Sequence, residues 1–166
     1  MLNAALQIGS FSDDFSPSFL YSFTAPRLMV KLIYLDSNVF ISSINKEIGY
    51  SLRGLFVEAE EFFFRISERK DILVLSGHFL NEVNETFGYS KEEVLVFLNT
   101  FGLLTKFCDE PKTINFSKYR KAGSHFKDSL HVALAIHFKC DLIVTFNTKD
   151  FENAKKFIKV ISPAEY

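Results

Sequence analysis

The chain has 166 residues, the size of one ordinary domain, of which 48% are hydrophobic and 23% are charged. This composition excludes a disordered or collagen-like chain, and the two cysteines, Cys108 and Cys140, are too few for a disulfide-stabilised secreted domain. The formal net charge of −1 excludes a globally basic nucleic-acid-binding protein. Since no apolar run approaches the ~20 residues that span a bilayer, we expect a soluble cytoplasmic protein.

The first 30 residues differ in composition from the remainder of the chain. They are rich in Ser and Phe, contain Pro17 and Pro26, and show the periodicity of neither a strand nor a helix. Near Met29 the pattern changes to a short apolar segment that ends on a carboxylate. We therefore expect residues 1–30 to be an N-terminal extension and residues 31–166 to form the folded domain, with Met29 as a candidate start of translation.

Short apolar strands and helices alternate along residues 31–166. An apolar stripe at helical spacing predicts the first helix, and Ser90 followed by Glu93 is the capping-box pattern that opens a later one. Continuous apolar strands separated by helices indicate an α/β protein with three layers, in which helices cover both faces of a central, mostly parallel sheet. The predicted elements, in chain order, are a strand at Lys31–Leu35, a helix at Ser51–Arg69, a strand at Asp71–Leu75, helices at Gly77–Phe87, Lys91–Lys106 and Ser124–Lys139, and strands at Asp141–Thr145 and Phe157–Ile161.

Acidic and amide side chains occur close to the ends of these predicted strands. Asp36 closes the first strand, Glu82 lies in the helix after the second, and Asp128 lies in the helix that leads into the third. Asn147 and Asp150 directly follow the third strand. Since ligands of open parallel sheets bind beyond the carboxyl ends of the strands, we expect these side chains to meet at one edge.

A cluster of carboxylates needs a counter-charge. Two carboxylates ~5 Å apart repel by roughly 3 kcal/mol at an effective dielectric constant of ~20, and a divalent cation is the usual solution. Oxygen ligands suit Mg²⁺ or Mn²⁺, which can orient a phosphodiester and activate a water molecule. Each residue also has a structural explanation: Asp36 and Asp150 as caps, Glu82 as a solvated helix residue beside Glu85, and Asp128 as a first-turn carboxylate favoured by the helix dipole.

Four segments resemble the PIN-domain family of metal-dependent nucleases, especially the VapC-type toxins of toxin–antitoxin pairs. They are the opening Tyr-Leu-Asp-Ser-Asn-Val-Phe-Ile, the Ser-x5-Glu of Ser76–Glu82, the Lys-Asp-Ser-x2-Val-Ala-Leu-Ala helix and the closing Val-Thr-Phe-Asn-Thr-Lys-Asp-Phe. The resemblance implies a three-layer PIN-like fold and Mg²⁺- or Mn²⁺-dependent cleavage of RNA.

The resemblance also implies roles for individual residues. Asp36, Glu82 and Asp128 match the acidic core of the family and are the candidate catalytic and metal-binding residues. Asn147 stands where the family often has Asp, and it is the fourth candidate metal ligand. Asp150, three residues later, is a candidate catalytic residue that supplies the missing charge.

An acidic site that cleaves RNA needs basic residues beside it. The run before and at the start of the last helix contains cations interleaved with the aromatic residues Tyr119 and Phe126, so that phosphates can pair with the cations and bases can stack on the rings. The alternative is a solvated loop. The candidate RNA-binding residues are Lys118, Arg120, Lys121 and Lys127.

The resemblance and the aromatic content also predict partners. Phe62, Phe63 and Phe64 follow one another in a helix and cover more than one of its faces, so part of this surface is a candidate interface. We expect a homodimer and, if the protein is a toxin, a small antitoxin protein that occupies the acidic groove.

Other functions remain open from the sequence. The domain could be a PIN nuclease of RNA processing that is not a toxin, or a catalytically weak scaffold that binds RNA or a partner protein. A phosphatase similar to the haloacid dehalogenases would use a strand-end Asp and a strand-end Ser such as Ser76, but it needs a second Asp where this chain has Asn38. Helical rotation spreads the side chains of His125 and His131 by ~60°, which disfavours a transition-metal site at His125, Asp128 and His131.

Overall fold

The computed structural model describes residues 29–46, 54–111, 113 and 116–166. Within these ranges the chain forms five strands: β1 (Leu32–Leu35), β2 (Ile72–Ser76), β3 (Leu104–Cys108), β4 (Leu142–Val144) and β5 (Lys159–Ile161). The helices described are α1 (Ser37–Asn45), α2 (Leu55–Arg69), α3 (Gly77–Phe87), α4 (Lys91–Thr100) and α5 (Phe126–His137). Short 3₁₀ segments occur at Phe116–Tyr119, Glu152–Lys156 and Pro163–Glu165.

The strands form one sheet in the order β3-β2-β1-β4-β5, and every neighbouring pair is parallel. Tyr34 of the central strand β1 lies opposite Val74 of β2 and Ile143 of β4. All five carboxyl ends therefore point the same way. The predicted α/β fold with a parallel sheet is confirmed.

Two apolar cores cover the two faces of the sheet, because alternate residues of a strand point to opposite faces. Ile33 and Leu35 pack into one core, which holds residues of α1, α2, α3 and α4. Tyr34 points to the other core, which holds residues of α5 and of the segments around Tyr119 and Phe157. The strands β1, β2 and β4 are almost entirely apolar because both of their faces are buried.

The helices that follow β1 and β2 begin at the carboxyl edge of the sheet. Asp36 precedes α1 in an extended conformation, and Ser76 caps α3, its hydroxyl oxygen accepting a hydrogen bond of 3.1 Å from the Phe79 amide. The Ser90–Glu93 capping box predicted for α4 is present, with hydrogen bonds of 3.3 and 2.8 Å. These caps fix where each helix starts relative to its strand.

The helix predicted over Lys91–Lys106 is wrong in its second half. α4 ends at Thr100, Gly102 adopts a left-handed conformation with φ of 69°, and Leu104–Cys108 is β3, which pairs with β2. β3 is an edge strand whose residues are largely half-buried or exposed, so it lacks the apolar run that marked the other strands. The sheet thus has five strands where the sequence predicted four, and α1 was not predicted.

The predicted N-terminal extension lies almost entirely outside the described residues. Of residues 1–30 only Met29 and Val30 are described, and both are exposed. The boundary between extension and domain therefore stays a prediction. None of the helices described is long and apolar enough to cross a membrane.

Candidate active site

Asp36 is a buried carboxylate at the carboxyl end of the central strand. Its backbone amide donates to the Val144 carbonyl (3.1 Å), which ties the end of β1 to the end of β4. The residue is 5% exposed, and no hydrogen bond joins its side chain to the start of α1. The cap interpretation of Asp36 therefore lacks the contact that defines a cap.

Glu82 lies on α3 and contacts residues from α1 and α5 as well as His78 of its own helix. Its Oε2 accepts hydrogen bonds from the Ser37 hydroxyl (2.6 Å) and from His131 Nε2 (3.1 Å). Its Oε1 lies 3.5 Å from His78 Nε2 and 3.8 Å from Lys127 Nζ. Glu82 is therefore part of a polar cluster and not a solvated helix residue.

His131 connects Asp36 to Glu82. Its Nε2 lies 3.6 Å from Asp36 Oδ1 and 3.1 Å from Glu82 Oε2. Its Nδ1 is 3.0 Å from the Tyr34 hydroxyl, which in turn lies 2.8 Å from the Ser76 hydroxyl. This buried chain of hydrogen bonds holds the imidazole ring with Nε2 directed at the two carboxylates.

Asp128 lies in the first turn of α5, where its Oδ2 accepts a hydrogen bond from the His125 amide (2.8 Å). The approach of Gly123 fixes this turn, since a Cβ atom on Gly123 would lie 2.2 Å from the Asp128 Cβ. The Gly123 amide donates to the Ser129 hydroxyl (3.0 Å), which itself donates to the Arg120 carbonyl. These contacts pack the segment before α5 against the first turn of that helix, where Asp128 lies.

The ionisation of these groups shows that their charges interact. Burial raises the pKa of Asp36, the charge of His131 and a hydrogen bond from Thr145 oppose this, and repulsion from Glu82 and Asp128 raises it further, so that the pKa lies above its usual value. Burial also raises the pKa of Glu82, but His131 and Ser37 more than offset it and bring the pKa to about 2. Burial lowers the pKa of His131, whereas Asp36 and Glu82 raise it above its usual value. Asp36 and Glu82 therefore share one electrostatic environment with His131.

The loop after β4 is attached to α1 through Asn38. The Asn38 amide donates to the Thr145 hydroxyl (3.0 Å), and its carbonyl oxygen accepts from the Phe146 amide (3.2 Å). Asn38 occupies the position where a haloacid-dehalogenase-like phosphatase needs its acid/base Asp, and here it serves to hold the loop. This arrangement counts against the phosphatase alternative.

Asn147 and Asp150 lie in the loop that Asn38 holds. The Asn147 amide donates to the Thr145 hydroxyl, the Asp150 amide donates to the Asn147 carbonyl, and the Asp150 carbonyl accepts from Ser124 ahead of α5. Within the described part of the chain no hydrogen bond or ion pair joins either side chain to the carboxylate cluster. Their backbones are at the rim of the site, and their roles as ligand and catalytic residue stay predictions.

The four candidate RNA-binding cations are exposed, but their neighbours differ. Lys127 Nζ lies 3.8 Å from Glu82 and 3.6 Å from Glu85, which places it at the mouth of the acidic cluster. Lys118 lies over the rings of Tyr119 and Phe157. Arg120 and Lys121 occupy the turn that precedes α5.

Sequence reasoning missed Ser37, His78 and the role of His131. The grouping of His131 with His125 does not occur, since His125 is exposed and its backbone amide donates to the Asp128 carboxylate, whereas His131 is buried beside Glu82. Two patterns could have revealed the cluster. His78 and Glu82 are four residues apart on one helix, so their side chains lie on the same face. His131 is an ionisable residue next to the buried apolar residues of α5.

Comparisons with known proteins give a similarity of fold. No family model matches the chain, and no curated protein matches it. The structure of VapBC2 from Rickettsia felis, bound to a DNA fragment from its promoter, is 16% identical, with a TM-score of 0.55 over 79% of this chain and 98% of that one. FitAcB from Neisseria gonorrhoeae is also 16% identical, with a TM-score of 0.51 over 81% of this chain and 99% of that one. The resemblance to the PIN-domain family, noted from the sequence, is thereby confirmed as a resemblance of the whole α/β fold.

Proposed function

We propose that the protein is a Mg²⁺- or Mn²⁺-dependent ribonuclease that acts as the toxin of a toxin–antitoxin pair. The observation that carries the proposal is the buried Asp36 at the carboxyl end of the central strand, 3.6 Å from the His131 Nε2 atom that also contacts Glu82. Such an edge is where parallel α/β sheets bind their ligands. A carboxylate cluster there is poorly explained by stability, because it repels itself.

A divalent cation fits the carboxylates of this site. Burial is the main cause of the raised pKa of Asp36, and the charges of Glu82 and Asp128 add to it, so a cation beside this carboxylate would stabilise its ionised form. Asp36, Glu82, Asp128 and Asn147 would hold the ion, and Asp150 would add negative charge at the rim. When bound, the ion would neutralise charge on the scissile phosphate and lower the pKa of a water molecule.

The residues of the chain contribute positioning and charge. Ser37 and His131 hold the Glu82 carboxylate in one orientation through hydrogen bonds of 2.6 and 3.1 Å, which leaves less freedom to be lost when substrate binds. Lys127 at the mouth, together with Lys118, Arg120 and Lys121, would offset the repulsion between an acidic site and the phosphates of RNA.

The proposed partners follow from the fold neighbours and from the surface. VapBC2 and FitAcB are complexes named for two components, which supports an antitoxin protein as the partner of this chain. Phe62 and Phe63 are fully buried in the core, whereas Phe64 is 58% exposed and packs only partly, against Phe101. We propose that the protein forms a homodimer in the cytoplasm and that the exposed face of α2 is part of the dimer interface. Light scattering at tens of micromolar tests this proposal. A protein that is strictly monomeric at that concentration would contradict it.

The test of the proposed function is cleavage of RNA by the purified, full-length protein. We expect cleavage of single-stranded or looped RNA with Mg²⁺ or Mn²⁺, and none with EDTA. Asp36→Asn should abolish it, because the substitution keeps the size of the side chain and removes its charge. Asp141→Asn is the matched control, since Asp141 accepts a hydrogen bond from the Leu32 amide at the opposite edge of the sheet. Equal activity of the wild-type and Asp36→Asn proteins would refute the proposal.

A further inference from the structure

We propose that His78, Glu82 and His131 form a binding site for a divalent transition-metal ion such as Zn²⁺. The site differs in its donors from the carboxylates proposed to hold Mg²⁺ or Mn²⁺, because it offers two imidazole nitrogens and one carboxylate. It shares Glu82 with them. The binding itself does not depend on ribonuclease activity.

The separations between the donor atoms suit such an ion. Glu82 Oε2 lies 3.1 Å from His131 Nε2, and Glu82 Oε1 lies 3.5 Å from His78 Nε2. Two ligands of a tetrahedral Zn²⁺ ion, with bonds of ~2.0–2.2 Å, lie ~3.3–3.6 Å apart. One donor atom from each of the three residues can be chosen so that all lie within 4.8 Å of one another.

His131 has the second hydrogen bond that a metal-binding histidine needs. Ligating imidazoles characteristically donate their other ring N–H to an acceptor, which fixes the ring and the tautomer. His131 Nδ1 is 3.0 Å from the Tyr34 hydroxyl, and that hydroxyl is 2.8 Å from Ser76. Nε2 is therefore held toward Glu82 whether a proton or a metal ion lies between them.

His78 supplies an independent observation. Its Nε2 atom is buried, yet it makes no hydrogen bond to any group in the described part of the chain. A buried polar atom without a partner is costly, and this one is directed at Glu82 across 3.5 Å. The His78 ring also lies beside the His131 ring, with centroids 4.6 Å apart. A metal ion between the two imidazoles would satisfy Nε2 and would explain why two rings that repel when charged are placed together.

The donor set selects the class of ion. Imidazole nitrogens suit Zn²⁺ and its first-row neighbours, whereas Mg²⁺ prefers oxygen ligands only. Two histidines and one glutamate would leave the fourth position of a tetrahedral ion open, and the nearby carboxylate is Asp36, whose Oδ1 lies 3.6 Å from His131 Nε2. Because Glu82 is shared, a Zn²⁺ ion here would withdraw Glu82 from the proposed Mg²⁺ site. This consequence, inhibition of Mg²⁺-supported cleavage by Zn²⁺, rests on the proposed function.

Calorimetric titration with Zn²⁺ and the visible absorption of Co²⁺ test the binding without any activity assay. The untagged full-length protein, first dialysed against a chelator, should bind one Zn²⁺ at this site and develop the Co²⁺ absorption of a site with nitrogen ligands. His78→Ala should weaken binding at least ~10-fold, the scale on which even supporting residues of metal sites act. His125→Ala, which changes an exposed histidine near α5, should bind like the wild type.

Three results would overturn the inference. They are a wild-type protein that binds no Zn²⁺ at tens of micromolar, a His78→Ala protein with wild-type affinity, and an equal loss of binding in His125→Ala. Glu82→Gln adds a second variant of unchanged size, and it should weaken Zn²⁺ binding in the same way as His78→Ala. If Zn²⁺ binds as expected while no RNA is cleaved under any condition, the metal site stands and the proposed function fails.

Discussion

Replacing Asp36 by Asn in the metal-free protein is expected to leave the free energy of unfolding unchanged or slightly higher. The ionised carboxylate is attracted to His131 Nε2 at 3.6 Å, which amounts to about 5 kcal/mol at an effective dielectric constant of ~20. Repulsion from the Glu82 and Asp128 carboxylates acts in the opposite direction. Burial, the largest cause of the raised pKa of Asp36, also favours an uncharged side chain at this position, so the loss of the attraction to His131 is offset.

Asp71→Asn is the matched comparison, since Asp71 is also a buried aspartate next to a strand of the sheet. It is 1% exposed and accepts hydrogen bonds from the Lys31 amide (2.7 Å), Arg69 Nε (3.1 Å) and the Tyr166 hydroxyl. Asparagine would turn an amide group toward these donors. With hydrogen bonds to charged groups contributing ~1.5–3 kcal/mol each, we expect a loss of about 2–4 kcal/mol, which lowers the Tm by ~5–15 °C.

Thermal unfolding in EDTA measures both variants against the wild type. Asp36→Asn should unfold within ~3 °C of the wild type, since 1 kcal/mol moves the Tm of a chain of this size by ~2–4 °C. Adding Mn²⁺ at ~100 times its Kd should stabilise the wild type by about 2.7 kcal/mol and leave Asp36→Asn unaffected. If Asp36→Asn lowers the Tm as much as Asp71→Asn, Asp36 is a structural residue and the metal-site reasoning is wrong.

Three further predictions concern pH, a glycine and the basic surface. Because the pKa of His131 is raised above 6.5, the stabilisation from its protonation is complete well below that pH and is lost as the pH rises through the folded-state pKa. The Tm in EDTA should therefore fall as the pH rises above ~6.5, and His131→Gln should remove that fall. Gly123→Ala should lower the free energy of unfolding by about 1–3 kcal/mol and abolish RNA cleavage. Gly88→Ala is the control: a Cβ atom there meets open space, but the φ of 73° is unfavourable for alanine. It should lower the free energy of unfolding by about 1 kcal/mol and keep the activity. In a catalytically inactive variant, Lys121→Gln should reduce by ~0.7 the slope of the logarithm of the RNA-binding constant against the logarithm of the salt concentration. Lys159→Gln, at the amino-terminal end of β5, should leave this slope unchanged. Equal slopes for the two variants would contradict the proposed RNA-binding surface.

The central strands could be predicted because burial on both faces leaves an apolar run that ends abruptly on a polar residue. Leu32–Leu35 followed by Asp36 is such a case, and the position of the carboxylate follows from the parallel sheet alone. β3 could not be predicted in this way. It is an edge strand with Lys106 among its residues, and its place in the sheet is set by pairing with β2. The left-handed Gly102 was the local sign that α4 ends before it.

The candidate site could be predicted as a set of acidic residues but not as a hydrogen-bonded cluster. Glu82 and His131 are 49 residues apart in the chain, and their contact depends on the rotation of α3 and α5 about their axes. A shift of either helix by one residue would turn its side chain by ~100°. Such rotations are set by packing in the two cores, which no local pattern encodes. Ser37 was missed for the same reason, whereas His78 had a local sign in its four-residue spacing from Glu82.

Cleavage of a labelled, partly looped RNA by metal-depleted protein supplied with Mn²⁺ or Mg²⁺ tests the central claim most directly. The account predicts cleavage by the wild type and by Asp141→Asn, none in EDTA, and a loss of at least ~100-fold in Asp36→Asn, corresponding to about 2.7 kcal/mol of transition-state stabilisation. Cleavage that persists in EDTA, or an Asp36→Asn protein that cleaves at the wild-type rate, would contradict it.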